Sequence, residues 1–301
     1  MSAPTAAALA IDAQCALGEG ATWCARSGRL YWVDIDGAQL MRYDPARGAR
    51  EVWPMPERIA SFALCEDARW LLLGLASRLA FLDLDSGRIE PLIDVEPGGL
   101  GTRVNDGRCD RHGRFVFGTK DDGDGAPPRA IGGFYRLGRD LSLEKLPLPA
   151  VAIANGIAFS PDGATMYYCD SPSREIRACD YGADGRIAND RRFVALADAS
   201  GEPDGSTVDA QGGLWNAQWG GARVVRYDAS GRETERVTVP TAQPSCVTLG
   251  GARLDTLYVT SARVGLAARA LADDPHAGGV FAATSGYGGL PEPRFGGAPR
   301  A

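Results

Sequence analysis

The amino-acid sequence predicts an all-β protein, a six-bladed β-propeller with a central channel that takes up residues 1–301 as one domain. Short apolar segments separated by turns recur along the chain, and corresponding positions in successive repeats are 40 to 51 residues apart. Six repeats of this length, each with about four strands, are typical of propeller blades. No helical periodicity persists, so the eight amphipathic segments that a βα-barrel requires are missing from the sequence.

The first strand of a repeat starts with a polar residue and ends at a turn that contains glycine. Residues 155–163 (NGIAFSPDG) have this pattern, and residues 19–28, 105–113 and 204–212 repeat it. In a propeller the first strand of each blade lines the channel. We therefore expect the four opening residues to lie together at one mouth of the channel.

The remaining strands follow in the same order in every repeat. The predicted second strands are residues 29–33, 69–73, 114–117, 165–168, 213–215 and 256–259, and the third are residues 40–44, 79–83, 133–137, 176–180, 224–228 and 279–283. A more polar fourth strand closes most repeats, as at residues 191–194 and 234–237. The last repeat lacks its own fourth strand, and we expect residues 7–11 to supply it, which would leave no open sheet edge.

Composition and charge narrow the class of function. A net charge of −6 argues against a nucleic-acid surface, and no apolar run is long enough to span a membrane. The seven cysteines are odd in number and form no C-x-x-C pair, so they predict neither a disulfide framework nor a zinc ribbon. The N-terminus has no basic segment followed by an apolar run. We therefore expect a soluble protein of the reducing cytoplasm, a monomer or weak oligomer, that acts on a small molecule.

The four residues that open the first strands are Glu19, Asn105, Asn155 and Asp204. Two carboxylates and two amides form a site of oxygen ligands, which suits Ca²⁺, Mg²⁺ or Mn²⁺ and also holds Zn²⁺ or Fe²⁺ in some proteins. Without a cation, two facing carboxylates repel each other and one must take up a proton. The alternative is that each residue only forms a turn, as Asn and Asp before Gly often do. Their common position in the repeat favours a site.

Five motifs of the chain are residues 17–23 (LGEGATW), 103–107 (RVNDG), 117–119 (FGT), 155–163 (NGIAFSPDG) and 203–205 (PDG). Together they resemble, in the same order and over nearly the whole chain, the motifs of the SMP-30/gluconolactonase/regucalcin family. The resemblance implies a six-bladed propeller that hydrolyses sugar lactones with one divalent metal ion in its channel. It makes Glu19, Asn155 and Asp204 the metal ligands, and Arg103 and Asn105 the residues that position the substrate.

The chain departs from the family's pattern at two places. Ala21 stands where the family commonly has proline, which leaves the neighbouring ligand unaffected. Lys120 stands where many members have methionine, and the acidic residue that then binds sugar hydroxyls has three counterparts here, Asp121, Asp122 and Asp124. We expect Asp122 to take this role. The alternative is an exposed loop of solvated acids.

The resemblance implies a metal-dependent lactonase that converts an aldono-1,4- or 1,5-lactone, such as a pentono-, glucono- or galactonolactone, to the aldonic acid in sugar catabolism. Residues 289–295 are similar to the tail of the family's bacterial branch. In the mechanism that we expect, Asp204 is both a metal ligand and the general base that takes a proton from water. Arg103 donates hydrogen bonds to sugar hydroxyls or to the oxyanion, and Asn105 contacts sugar hydroxyls.

Other classes of function stay open or are disfavoured by the sequence. A serine hydrolase needs a G-x-S-x-G motif, which is missing, and a base, whereas the two histidines, His112 and His276, lie in a predicted turn and a predicted loop. A non-catalytic calcium-binding or regulatory propeller is the main alternative, and an enzyme for phosphotriesters or aromatic lactones is a third. Most tryptophans occupy strand positions typical of core packing, but Trp219 is placed where it could line the channel mouth instead.

Overall fold

The computed structural model describes residues 5–99, 101–123, 127–196 and 201–299. Within these residues, 25 strands form six sheets of four or five strands each. Apart from the two N-terminal strands, which join the last two blades, neighbouring strands within each blade are antiparallel and follow the order of the chain. The predicted all-β, six-bladed propeller is confirmed.

Each predicted second and third strand of the first four repeats overlaps an observed strand of these blades and starts within one residue of it. The chain begins with two short strands, β1 (Thr5–Ala6) and β2 (Ala8–Ile11). Blade 1 consists of β3 (Gly18–Cys24), β4 (Arg29–Asp34), β5 (Gln39–Asp44) and β6 (Ala49–Pro54), and blade 2 of β7 (Ile59–Leu64), β8 (Trp70–Leu75), β9 (Arg78–Asp83) and β10 (Ile89–Asp94). Blade 3 consists of β11 (Thr102–Cys109), β12 (Phe115–Asp121), β13 (Phe134–Leu137) and β14 (Leu143–Lys145), and blade 4 of β15 (Ala154–Phe159), β16 (Thr165–Asp170), β17 (Glu175–Tyr181) and β18 (Ile187–Ala195).

The last two blades also receive the N-terminal strands. Blade 5 consists of β19 (Glu202–Val208), β20 (Leu214–Trp219), β21 (Arg223–Tyr227) and β22 (Glu233–Thr238), and blade 6 of β23 (Pro244–Gly250), β24 (Thr256–Ser261) and β25 (Val280–Thr284). A 3₁₀ turn (Ser171–Ser173) follows β16, and a helix, α1 (Ala268–Asp273), precedes β25. No helix among the described residues has the length and apolar character needed to cross a membrane.

The N-terminal segment closes the ring of blades. Strand β2 pairs antiparallel with β25 and is the outer strand of blade 6, which confirms the predicted closure. Strand β1 pairs in parallel with β22, the outer strand of blade 5, and the sequence did not indicate this second contact. Residues 5–11 therefore join two neighbouring blades.

The core lies between the blades, because each sheet buries both of its faces. Six clusters of buried apolar side chains occupy the six blade-to-blade interfaces of the described structure. The largest fully buried side chains, among them Trp32 and Trp215, belong to these clusters. All seven cysteines are free and buried, in keeping with their expected role as small core residues.

The C-terminal tail, residues 288–297, crosses the end of the channel where the inner strands finish. The Phe295 amide donates to the carbonyl of Leu64 in blade 2, and the Gly296 amide donates to the carbonyl of Gly113 in blade 3. Glu292 forms an ion pair of 2.8 Å with Arg108 of β11. Beside Glu292 and Pro293 are residues of the inner strands of all six blades. The tail therefore covers this end of the channel.

Candidate active site

A cavity of about 370 Å³ opens at the other end of the channel, where the inner strands begin. Glu19, Asn105, Asn155 and Asp204 all line it. The structure thus brings the four opening residues to one mouth, as their common position in the repeat predicted. Arg103, the fifth candidate on an inner strand, lines the same cavity.

A bulge near the start of each inner strand lets these residues face the channel. Pairing with the second strand changes register between Glu19 and Thr22 in β3, between Asn155 and Ala158 in β15, and between Pro203 and Ser206 in β19. The other three inner strands change register at the corresponding place. An extra residue in one strand of a pair bends it and redirects its side chains, and such bulges are frequent next to active sites.

Glu19 and Asp204 place two carboxyl groups next to each other in the cavity wall. Asp204 is buried, with 5% of its surface exposed, and its Oδ1 has no hydrogen-bond partner among the described residues. Burial and the adjacent Glu19 raise the pKa of Asp204 well above the ordinary carboxyl value. Burial, with Asp106 as the second cause, also raises the pKa of Glu19. Both groups therefore favour a bound proton or a bound cation over two bare negative charges.

Asn155 is held in place on both sides of its amide. Its Nδ2 donates to Ser171 Oγ at 2.9 Å, and its Oδ1 accepts a hydrogen bond of 2.8 Å from Asn105 Nδ2. Ser171 Oγ in turn donates to the carbonyl of Pro203, next to Asp204. The Asn155 oxygen keeps a second lone pair for a ligand, and its orientation is fixed by protein contacts.

Arg103 and Asn105 form a chain of hydrogen bonds that ends at Asn155. The buried Arg103 donates from Nη1 to Asn105 Oδ1 at 2.8 Å, and Asn105 Nδ2 also donates to the carbonyl of Ala154 at 2.9 Å. Both amide hydrogens of Asn105 are thus used within the protein. Burial, followed by repulsion from Arg58, lowers the pKa of Arg103 to about 10. The predicted contacts of Arg103 and Asn105 with substrate stay predictions.

The three candidate aspartates after Lys120 have different surroundings. Asp122 lines the cavity and makes a two-pronged ion pair with Arg58, with distances of 3.0 and 2.5 Å. Asp121 is buried on the other face of the strand, where both of its oxygens accept hydrogen bonds from Arg129. Asp124 lies outside the described residues. Of the two that are described, Asp122 is the one at the cavity, where it was expected.

The cavity-lining oxygens have the chemistry of a divalent-cation site. Glu19 and Asp204 supply two carboxylates of raised proton affinity, and Asn155 supplies an oriented amide oxygen. One buried Asp204 oxygen has no partner among the residues that the structure describes. Hard cations prefer such oxygen ligands. No three His, Cys, Asp or Glu side chains gather as a metal site in the part of the chain that the structure describes, and the predicted set contains only two such residues. These residues fit the implied metal ion.

A second group of residues lines the cavity and was not predicted from the sequence. Its members include Asp36, Arg58, Ser171, Glu202 and Val264, and also Lys120, which was noted only as a departure from the family's pattern. Many of them lie at or just after the end of a second strand, which runs back towards the same mouth. This position at the end of a second strand is the signal from which the sequence could have predicted them. Trp219, at the end of β20, also lines the cavity, so this one of its two expected placements is correct.

The chain is similar to known proteins over most of its length. Residues 17–263 match the family described as SMP-30/Gluconolactonase/LRE-like region. The chain is 60% identical to the L-arabinolactonase of Azospirillum brasilense over 294 residues, which cover 98% of this chain and 97% of that protein. It is 36% identical to the pentonolactonase XacC of Haloferax volcanii, covering 84% of each.

A solved structure has the same fold over nearly the whole chain. The regucalcin of Agrobacterium tumefaciens, described as a calcium-binding protein, superimposes with a TM-score of 0.90 and 30% sequence identity, covering 97% of this chain and 98% of that one. The family match, the identity to relatives and the shared fold agree with one another. The chain therefore belongs to the SMP-30/gluconolactonase/LRE-like family.

Proposed function

We propose that the protein hydrolyses a sugar lactone to the aldonic acid, and that a pentonolactone is its first candidate substrate. The observation that carries the proposal is the cluster of Glu19, Asn155 and Asp204 in the wall of a cavity of about 370 Å³. The 60% identity to an L-arabinolactonase supports a pentonolactone over a larger sugar lactone. Gluconolactone and galactonolactone are the next candidates.

We further propose that Glu19, Asn155 and Asp204 hold one divalent cation, whether Ca²⁺, Mg²⁺, Mn²⁺, Zn²⁺ or Fe²⁺. Such an ion, when bound, supplies a Lewis acid for the lactone carbonyl and makes a nearby water more acidic. The Arg103–Asn105 chain positions Asn155 for this task. Ser171 supports it from the other side.

Asp204 is proposed to act as the base. Its Oδ1, which has no partner among the described residues, accepts a proton from the water that adds to the lactone carbonyl carbon. The bond between the carbonyl carbon and the ring oxygen then breaks with its electron pair on the ring oxygen, which takes up a proton and becomes a hydroxyl. Asp204 and the new carboxylic acid each release a proton to solvent, so one proton is released in total. A positioned base of this kind accelerates proton transfer by about 10²- to 10⁴-fold.

The Arg58–Asp122 pair is proposed to contact the substrate's hydroxyl groups. It lies on the wall of the same cavity, and Asp122 is also 3.5 Å from Arg103. Ionised donors and acceptors on one face of a cavity bind a polyol through charge-assisted hydrogen bonds. Trp219 and Val264 line the same cavity and are placed to cover the apolar C–H groups of the sugar.

The first test is Asp204→Asn, which keeps the shape of the side chain and removes its base. We expect lactone hydrolysis to fall by at least about 10²-fold while the circular dichroism spectrum stays that of the wild type. Hydrolysis is followed with a pH indicator on arabinono-, xylono-, glucono- and galactonolactones, with each divalent metal restored after chelation. Asp228→Asn, in an exposed turn of the same blade, is the matched control. Near-normal turnover by Asp204→Asn would overturn the assignment of the base, and full activity after chelation would overturn the metal.

A calcium-binding propeller without catalysis is the second candidate. The likeness to a regucalcin described as a calcium-binding protein favours it. It predicts tight calcium binding by calorimetry together with no hydrolysis of any lactone in the panel. The same set of measurements therefore separates the two functions.

A further inference from the structure

Lys120 is an unusual residue in this chain. Lysine and arginine together number 32, and only Lys120 and Lys145 are lysines. Lys120 lies near the end of β12, opposite Arg103 of β11, and its backbone bridges to Ile153 at the edge of blade 4. Its side chain lines the same cavity as Glu19, Asn155 and Asp204.

The ammonium of Lys120 makes no hydrogen bond or ion pair with any residue that the structure describes. The other cations of the cavity are engaged: Arg58 binds Asp122, and Arg103 binds Asn105 and the carbonyl of Val104. An ammonium has three donors and no acceptor. A half-buried ammonium without partners leaves these donors to a ligand in the cavity.

Lys120 lines the same cavity as Asp122 and Asp204. Asp122 and Asp204 are the acidic groups that attract it most, while burial and Arg103 lower its pKa. It therefore lies within electrostatic reach of both the proposed base and the proposed hydroxyl-binding pair. A lactone bound between Asp204 and the Arg58–Asp122 pair would have its ester group within reach of the Lys120 ammonium.

We propose that Lys120 is a catalytic residue that donates a hydrogen bond to the ring oxygen of the lactone. Negative charge develops on this oxygen as the carbon–oxygen bond breaks, and a fixed cation in a partly desolvated cavity stabilises that charge. The inference rests on the proposed function and deepens it, because it assigns a role in ring opening to Lys120. Many members of the family have methionine at this position, which cannot donate this hydrogen bond. The balance of atoms is that of the hydrolysis described above, with Lys120 unchanged at the end.

The kinetic test uses Lys120→Met, which keeps an unbranched side chain of similar length and removes its charge. We expect kcat on the wild type's best lactone to fall by about 10²-fold with KM changed far less, and Lys120→Arg to recover part of the loss. Lys145→Met is the matched control, since Lys145 lies on the outer strand of the same blade and faces the ring of Tyr135. Wild-type kcat in Lys120→Met, or a change in KM alone, overturns the proposal. If the wild type hydrolyses no lactone, it is the proposed function that fails.

A second readout does not depend on turnover. Reductive methylation with ¹³C-formaldehyde labels two lysine side chains and the terminal amine, and it keeps their positive charge. The methyl signal that disappears in Lys120→Met is that of Lys120. We expect this signal to shift on addition of the aldonate product, while the Lys145 signal stays in place. An unmoved Lys120 signal at saturating aldonate overturns the proposed contact, even where Lys120→Met is poorly folded.

Discussion

Glu19 and Asp204 illustrate how burial prepares a pair of side chains for a bound ion. Each carboxyl lies at the cavity wall with a raised pKa. Burial and the nearby Glu19 raise the pKa of Asp204, whereas burial and the nearby Asp106 raise the pKa of Glu19. A divalent cation and a proton then compete for the same oxygens. The folded protein without metal must therefore hold protons that its unfolded chain does not hold at the same pH.

This competition predicts how the stability of the metal-free protein depends on pH. The folded-state pKa values of Glu19 and Asp204 lie above those of the unfolded chain, so the protonated pair stabilises the fold. That stabilisation is lost as the pH rises from about 5 to about 8. We expect the Tm of chelator-treated protein to fall over this range and the fall to shrink when a binding metal is added. Differential scanning calorimetry measures both.

Asp204→Asn is the control for this prediction. It removes one member of the pair, so the fall in Tm with pH is expected to be smaller than in the wild type. A metal-free wild type whose Tm rises from about pH 5 to about pH 8 would contradict the raised pKa values.

For individual site residues, the sequence predicted the location of the side chains better than their hydrogen-bond and ion-pair partners. Glu19, Asn155 and Asp204 were found because they share one position in the repeat. Arg58 and Lys120 were not, because their importance depends on which strand ends meet at the mouth. The use of both Asn105 amide hydrogens within the protein depends on distances between blades, which no single repeat encodes.

The bulge in β15 can be tested by changing Gly156. Gly156 follows Asn155 directly and has a φ of +68°, and a Cβ there would lie 2.9 Å from Cys169 Sγ. Gly28 has a similar φ of +65° with open space around it. The two glycines therefore share a backbone conformation and differ in crowding.

We expect Gly28→Ala to lower the free energy of unfolding by about 1 to 2 kcal/mol, the usual cost of a side chain in this conformation. Gly156→Ala is expected to lower it by a larger amount and also to weaken metal binding, because the bulge must shift beside Asn155. Urea unfolding and calorimetric metal titration measure the two effects. Equal losses of stability in both variants would mean that crowding at Gly156 is relieved without strain.

The strands themselves were predictable, whereas the bulges were not. Alternating apolar residues and turn glycines indicate a strand and its end, as in residues 155–163. A bulge exists only relative to a partner strand, so its position depends on the pairing of β15 with β16. The ends of the second strands supply a large part of the cavity lining, and most of these residues were not predicted as site residues.

At the scale of the whole molecule, the ring is closed by the N-terminal segment. Ile11 of β2 is buried between blades 6 and 1, whereas Ala10, its neighbour on the same strand, is exposed. We expect Ile11→Asp to lower the free energy of unfolding by more than about 3 kcal/mol, because it buries a charge without a partner. Ala10→Asp is expected to change it by less than about 0.5 kcal/mol.

Thermal unfolding and size-exclusion chromatography check this prediction. An opened ring exposes the edge of β25, so Ile11→Asp is also expected to form larger species on heating. If the two variants melt at the same temperature, the closure by β2 contributes little to stability. The six repeats were predictable from the recurring apolar segments, and this closure was predictable from the missing fourth strand of the last repeat. The added pairing of β1 with β22 was not, since two residues carry no periodicity.

The C-terminal tail closes one end of the channel. It is held there by the ion pair of Glu292 with Arg108 and by backbone hydrogen bonds to blades 2 and 3. With this end covered, the described residues leave the channel open at the end that holds the cavity. For a catalyst of the proposed reaction, a fresh lactone and a spent aldonate then share a single path in opposite directions. The aldonate must leave the cavity before the next lactone can bind. An accumulating aldonate therefore competes with the lactone, and the rate of hydrolysis depends on how quickly the cell consumes the aldonate.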